Sequence, residues 1–239
     1  MDMKKMKIMA VALLLTVCNT TFAQYDDYGY YQERRTTHSS YSSDIDYEDG
    51  WSNFYAEYNN QQLVTDHKGV DNMTFHGFTI GYSYNYLFGG SPVGIEGGFE
   101  ASGAYFSEKY ENSNLNVMER HSVDIYYSKL LANLIFKLDV ADGFSIIPFG
   151  GFNAKINISA EERYKNSQER IVYNLFDDRD MFDEGYNRFQ AGYQAGVKLL
   201  FQDTFYLGGT YKADLTPFYS DAHEKQRFRG FAITLGISF

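Results

Sequence analysis

The sequence predicts an all-β protein, an eight-stranded antiparallel transmembrane β-barrel preceded by a disordered N-terminal segment. Aromatic residues form 18% of the 239 residues, with 21 Gly and only 3 Pro, which is a composition that suits strands. Eight segments after residue 50 alternate apolar and polar side chains. The connections between these segments alternate between short and long, as in barrels that cross a membrane.

The charge and the cysteine count exclude several kinds of site. The formal net charge is −10, which argues against a nucleic-acid partner, because such a partner needs a basic surface. The one cysteine, Cys18, cannot form an internal disulfide and lies in a segment that we expect to be removed. The mature chain would then have neither a cysteine nucleophile nor a thiolate metal site.

Residues 1–23 have the features of a cleaved signal peptide. Lys4, Lys5 and Lys7 give a basic start, and the apolar run at 8–18 is too short to span a bilayer as a helix. Small residues up to Ala23 then fit cleavage before Gln24. A lipoprotein signal ending at Cys18 is the alternative, but the preceding Val17 is a poor residue for it.

Residues 24–50 are predicted to be a flexible polar linker. The segment is rich in Tyr, Ser and Asp, and Ile45 is its only aliphatic residue. Such a segment buries too little apolar surface to offset the entropy lost on ordering. The alternative is a periplasmic tether that contacts peptidoglycan or a partner.

The barrel is predicted over residues 51–239, and its first four strands at 52–62, 74–86, 93–106 and 122–138. In the first, Phe54 and Tyr58 oppose polar residues. The second and third alternate more cleanly, with Gly, Ser and Glu on the polar face. The fourth is less regular, because Leu131 and Ile135 fall on its polar face.

The last four strands are predicted at 144–159, 189–201, 205–215 and 231–239. The final one is the most regular, because every second residue from Phe231 to Phe239 is apolar and the others are small or polar. Each segment is close to or above the roughly 9–11 residues that a membrane-spanning strand needs. Closure into a barrel would leave no unpaired edge, as a bilayer requires.

The connections fall into two groups by length. The short ones are 87–92, 139–143 and 202–204, and the long, more polar ones are 63–73, 107–121, 160–187 and 216–228. In outer-membrane barrels the short turns face the periplasm and the long loops face outward. We therefore expect both termini of the barrel in the periplasm.

The export signal, the eight amphipathic segments and the terminal ITLGISF together resemble the small outer-membrane β-barrel proteins of Gram-negative bacteria, the OmpA/OmpX-like and porin-family group. The resemblance implies a monomeric outer-membrane protein. Its partners would be the outer-membrane lipids around it and the outer-membrane assembly machinery that recognises it. It also implies a C-terminal assembly signal, formed by Phe231, Ile233, Leu235, Ile237 and Phe239.

Charged residues on the polar faces are predicted to form a structural lumen charge network. Its members are Glu57, Glu96, Glu100, Lys129, Lys137, Lys155, Lys198, Lys212 and Asp214. Glu96 and Glu100 share one face of one strand, and paired acids can perform acid–base catalysis. A structural role is favoured, because an eight-stranded barrel is only wide enough to be filled by its own side chains.

No catalytic, cofactor-binding or metal-binding residues are predicted, and hence no enzyme. The histidines lack metal-ligand spacing, and His76 falls on the lipid face. His121, Ser122 and Asp124 contain the residue types of a catalytic triad, but adjacent strand residues point to opposite faces. The acidic run Asp177, Asp178, Asp180, Asp183 and Glu184 matches no calcium loop and is interpreted as a solvated loop.

The function predicted from these observations is a structural, adhesive or ligand-binding role at the cell surface. It would be performed by the long extracellular loops, chiefly 107–121 and 160–187, with a lumen that is filled rather than open. The alternative is a narrow channel or transporter, or an outer-membrane lipid-modifying enzyme. The sequence does not identify the ligand.

Overall fold

The computed structural model describes residues 50–66, 72–89, 91–112, 117–165, 170–176, 185–221 and 224–239. The predicted signal peptide with Cys18, the predicted linker up to residue 49 and the acidic run at 177–184 lie outside these residues. In the described part of the chain, no helix is long and apolar enough to cross a membrane.

Twelve strands occur in the described residues. They are β1 (Gly50–Thr65), β2 (Met73–Leu87), β3 (Val93–Asn112), β4 (Val117–Phe136), β5 (Leu138–Ala141), β6 (Phe144–Lys165), β7 (Arg170–Asn174), β8 (Gly185–Tyr186), β9 (Phe189–Phe201), β10 (Phe205–Asp214), β11 (Tyr219–Ser220) and β12 (Lys225–Ser238).

Eight of the strands in the described residues form a closed antiparallel barrel, in the order β1, β2, β3, β4, β6, β9, β10 and β12. The last strand pairs with the first, from Asn53 opposite Ser238 to Thr65 opposite Gln226. Beyond that ladder, the Phe239 amide donates to the Ser52 carbonyl at 3.0 Å, and the Ser52 amide donates to the Phe239 carbonyl at 2.8 Å. The predicted all-β, eight-stranded antiparallel barrel is therefore confirmed.

The four short strands extend the barrel strands at their ends. β5 pairs with the start of β6 across the turn at Asp142 and Gly143, where Gly143 has a φ of 72°. β7 pairs with the far end of β6, from Glu161 opposite Asn174 to Lys165 opposite Arg170. β8 pairs with β11, which also pairs with β12.

Four strands run five or six residues further at one end than the sequence predicted, and one of them, β12, begins at Lys225 rather than at 231. β3 continues to Asn112 and β4 begins at Val117, so most of the predicted loop 107–121 is a β-hairpin. β6 continues to Lys165 and pairs there with β7, inside the predicted loop 160–187. The physical reason is that ladder hydrogen bonds join backbone groups, so a strand can continue where its side chains turn polar on both faces.

The outer face of the barrel carries a continuous apolar belt. Its exposed members include Phe54, Tyr58, Phe78, Ile80, Tyr82, Ile95, Phe99, Leu130, Leu134, Phe152, Ile156, Phe189, Val197, Leu207, Phe231, Ile233, Leu235 and Ile237. An apolar surface of this extent is not left in water. Together with a closed barrel that leaves no strand edge, it identifies a transmembrane barrel of the outer-membrane type.

Candidate functional site: the barrel lumen and its outer rim

Eight of the nine residues predicted for the lumen charge network lie inside the barrel. Four carboxylates and four lysine ammonium groups form ion pairs there, and their side chains are at most 10% exposed. The pairs among these described residues are Glu57 with Lys212, Glu96 with Lys198, Glu100 with Lys129, and Asp214 with Lys155. The network is therefore neutral when every member is charged.

Lys212 occupies the centre of the network, between two carboxylates from different strands. Its Nζ contacts Glu57 and lies 3.6 Å from Glu100 Oε2, which Lys129 also contacts. Neutral donors complete the group, because Tyr55 donates to Glu100 Oε1 at 2.9 Å and Thr234 donates to Glu57 Oε2 at 3.1 Å. Paired buried charges with added hydrogen bonds are the arrangement that offsets the cost of removing ions from water.

Glu96 and Glu100, the pair of acids that the sequence placed on one face, each have a lysine of their own. Glu96 contacts Lys198 and accepts hydrogen bonds from Ser83 Oγ at 2.6 Å and Asn133 Nδ2 at 2.8 Å. Both oxygens of this carboxylate are thus held by donors. Alternation places Ser83 and Asn133 on polar faces but does not show that they bind Glu96, because that contact depends on which strands become neighbours.

Lys137 lies outside the network, contrary to the prediction. Its Nζ is 3.5 Å from Asp203 Oδ1 and 3.7 Å from Asp139 Oδ1, and it lies 5.5 Å from the centre of the Trp51 ring. β4 ends at Phe136, so the alternation that placed Lys137 inward stops one residue earlier. The lysine instead joins the exposed turns at the rim of the barrel.

Two apolar clusters fill the lumen on either side of the network. The turn-end cluster contains Tyr55, Leu87, Ile135, Ile147, Leu200 and Tyr206. The loop-end cluster contains Leu63, Phe75, Ala104, Phe106, Val123, Ile125, Tyr127, Ala160, Phe176, Phe218 and Phe228. Neither cluster was predicted from the sequence; apolar residues on predicted polar faces, such as Ile135, were the available signal.

Little space remains between the side chains of the lumen. Two cavities of about 20 Å³ each lie in the network, and Lys212 lines both. Each is large enough for about one water molecule. Phe176 and Phe218 belong to connections rather than to barrel strands, so described parts of these connections pack into the lumen at the loop end. The predicted filled lumen agrees with this packing.

His121, Ser122 and Asp124 do not come together as a triad. His121 Nε2 is 2.7 Å from Glu162 Oε1, and its ring stacks on Tyr164 with centroids 4.7 Å apart. Asp124 instead contacts Arg163, which also binds Glu161 at 2.5 Å. Ser122 lies between His121 and Val123 on the strand and thus points to the face opposite His121.

A β-bulge explains why these partners could not be predicted. The register between β4 and β6 shifts at Tyr126 and Tyr127, where Ile158 is the extra residue on β6. Beyond it the inward and outward positions of β6 exchange, which directs Ala160 into the lumen and Arg163 outward. Simple alternation from 144–159 assigns both residues to the wrong face.

The remaining predicted positions are on the outer face. His76 lies there as predicted, and its Nδ1 is 2.7 Å from the Tyr58 hydroxyl. The predicted assembly-signal residues form one exposed stripe, at Phe231, Ile233, Leu235, Ile237 and Phe239. Among the described residues, no three His, Cys, Asp or Glu side chains are grouped so as to hold a metal ion.

No family model and no curated protein matches the chain. Solved structures to which it is similar include Ail, the attachment invasion locus protein of Yersinia pestis, at 14% identity, 80% coverage of this chain, 99% of that chain and a TM-score of 0.43. Neisserial surface protein A has 10% identity, coverages of 79% and 97%, and a TM-score of 0.42. The outer membrane enzyme PagL has 10% identity, coverages of 76% and 98%, and a TM-score of 0.42. With TM-scores below 0.5, these likenesses carry no argument about what the chain binds or does.

Proposed function

We propose that this protein is a non-conducting surface protein of the outer membrane, which binds a partner through strands that project outside the cell. The observation that carries the proposal is the closure of the lumen. Two apolar clusters enclose a neutral network of ion pairs, and two cavities found beside Lys212 hold about one water each. An interior filled in this way leaves the outer surface as the part available to a partner.

The orientation follows from the lengths of the connections. The ends of β2, β5 and β9 and the starts of β3, β6 and β10, which the short connections join, lie at the same end of the barrel as Gly50 and Phe239. Short turns are the periplasmic feature of outer-membrane barrels. We therefore place both ends of the barrel in the periplasm and the longer connections outside.

The projecting part consists of paired strands. β3 and β4 have 20 residues each and β6 has 22, about twice the roughly 9–11 residues that cross a bilayer. The excess lies at the loop end, where β3 pairs with β4 as far as Asn112 and Val117, and β7 adds a further strand to β6. A paired sheet presents its side chains in fixed positions, which suits binding better than a structureless loop.

Planar-bilayer recording tests the first half of the proposal. The purified mature protein should give no large, steady conductance at neutral pH, whereas a wide porin in the same bilayer serves as the positive control. A steady conductance from the wild-type barrel would contradict the filled lumen and favour the channel alternative.

A hairpin-shortening variant tests the second half. Phe106 and Val123 are a cross-strand pair, so residues 107–122 can be replaced by Asn-Gly, which favours a tight two-residue turn. Cells with this variant should lose the partner found in a whole-cell binding screen, while the barrel still migrates faster unboiled than boiled. Binding that survives the replacement would exclude the β3–β4 hairpin as the contact surface.

A further inference from the structure

A row of four basic residues crosses the projecting sheet. Lys109 of β3 is paired with Arg120 of β4, Arg120 with Lys165 of β6, and Lys165 with Arg170 of β7. All four are exposed. Neighbouring strands are about 4.8 Å apart, so the row is about 14 Å long across three spacings. We call it the outer-face basic row.

The four side chains share the outward face of the sheet. Alternation leads from the exposed Tyr105 to Lys109, and from the exposed Tyr126 to Arg120. On β6 the bulge at Ile158 turns Arg163 outward, and Lys165 follows two residues later. Without the bulge, Lys165 would point to the opposite face and the row would be interrupted.

The row has no ion-pair partner among the residues whose side chains the structure describes, which exclude 110–119. The nearest outward acids along β4 and β6, Asp124 and Glu161, are both bound by Arg163. Like charges directly opposite each other on neighbouring strands are destabilising. An anionic ligand would neutralise four such adjacent positive charges.

The height of the row above the membrane selects the source of that ligand. Tyr126 ends the apolar belt on β4, and Arg120 lies six residues further along the strand. At about 3.3 Å per residue and a tilt of about 40°, the row is about 15 Å above the belt. Each headgroup layer is only about 5–8 Å thick, so the row lies beyond the lipid phosphates.

We propose that the outer-face basic row binds an extracellular acidic polysaccharide, whose sulfate or carboxylate groups lie across the four strands. The proposal rests on the orientation given under the proposed function. Because the chain as a whole has a formal charge of −10 and would repel a polyanion elsewhere, the contact is confined to a short acidic stretch of the polysaccharide that lies on the row. A single-stranded nucleic acid of equal charge is the competing ligand that the test includes.

The test is calorimetric titration of the mature protein, in nanodiscs of zwitterionic lipid, with a size-defined heparin oligosaccharide as the sulfated probe. Arg120→Gln/Lys165→Gln should weaken binding by about tenfold or more and reduce the salt dependence by about two counterions. The control Lys225→Gln/Arg229→Gln removes the same charge from exposed positions on β12 and should change the affinity by less than about twofold.

Four results would overturn the inference: no binding by the wild type, an equal loss in both double variants, tighter binding to a single-stranded oligonucleotide of equal charge, or binding that requires anionic lipid in the nanodisc.

A labelling experiment separates failure of this inference from failure of the proposed function. Val172 is exposed on β7, and the mature chain is expected to have no other thiol, so Val172→Cys on intact cells should react with a membrane-impermeant maleimide. If the Val172→Cys variant is labelled but heparin does not bind, only the proposed ligand is rejected. If this variant is not labelled on intact cells, the proposed orientation of the barrel is rejected.

Discussion

Lys212 shows how the lumen distributes charge at the scale of single residues. It contacts Glu57, lies 3.6 Å from Glu100 and lines both lumen cavities. Removing one partner of a buried ion pair leaves an uncompensated charge, which costs far more than the intact pair contributes. Here a single substitution would leave two carboxylates with fewer partners.

We expect Lys212→Met to lower the free energy of unfolding by about 3–5 kcal/mol, because Glu57 loses its ammonium partner inside the barrel. Urea unfolding in lipid vesicles measures this, with fluorescence from Trp51, the only tryptophan of the chain, as the probe. The added substitution Glu57→Gln should recover part of the loss. Lys137→Met is the matched control and should cost less than about 1 kcal/mol, because its acidic neighbours are 51% and 69% exposed. Equal losses in the two lysine variants would show that the network is not buried.

The period of two was enough to predict which residues face the lumen, as for Glu57, Glu96 and Lys198, because each lies well inside a strand. It failed for Lys137, where the strand ends one residue before. It also could not indicate that Tyr55 binds Glu100 or that Thr234 binds Glu57, since these contacts join residues of different strands. Such contacts depend on the relative register of strands, which alternation alone does not set.

At the scale of elements, the strand most regular in sequence also closes the barrel. β12 pairs with β10 on one side and with β1 on the other. Phe239 adds the last two closing hydrogen bonds, both with Ser52. By resemblance to outer-membrane barrels, its aromatic side chain is also the expected assembly signal. The role of the Phe239 side chain in assembly and the role of its backbone in closing the barrel can therefore be tested separately.

Deleting Phe239 removes both the side chain and the two hydrogen bonds, whereas Phe239→Ala removes only the side chain. If the side chain is the assembly signal, both variants should reduce the amount of folded, heat-modifiable protein in membranes several-fold. Phe239→Tyr, which keeps an aromatic ring, should retain most of it. The unfolding free energy of the Phe239→Ala protein that does assemble should fall much less. Normal assembly of Phe239→Ala would show that the terminal side chain is not the signal.

The ends of strands were harder to predict than their existence. The segment 189–201 matches β9 at both ends, because the three-residue turn 202–204 and a polar connection bound it. β3, β4, β6 and β12 run further than the sequence predicts, since their ends away from the short turns are rich in polar residues. The bulge at Ile158 has no signal in the alternation before it, although it decides which face carries Arg163 and Lys165.

At the scale of the whole molecule, the barrel has three layers inside and one belt outside. Along β1, Tyr55 belongs to the turn-end cluster, Glu57 to the lumen charge network and Leu63 to the loop-end cluster. The sequence predicted a polar lumen because most inward positions are polar. The apolar layers were missed because most strands supply only one or two residues to them; β4, which supplies four, is the strand whose alternation is least regular.

The belt predicts how the barrel responds to charge at different depths. Leu235 is 66% exposed in the middle of the apolar stripe of β12 and is paired with Ala56 of β1. Leu235→Lys should therefore cost about 2–4 kcal/mol if this position lies near the bilayer midplane. Asn60 is an exposed outward position on β1, four residues beyond Ala56 and opposite Phe231. Asn60→Lys should cost only about 0–1 kcal/mol, because a lysine near the interface can extend its ammonium group into the headgroups. Unfolding free energies in lipid vesicles measure both changes, and repetition in detergent micelles should narrow the difference between them. Equal losses of unfolding free energy for the two lysine variants in vesicles would mean that the face of β12 bearing Leu235 does not lie in hydrocarbon. The exposed apolar belt would then contact something other than lipid.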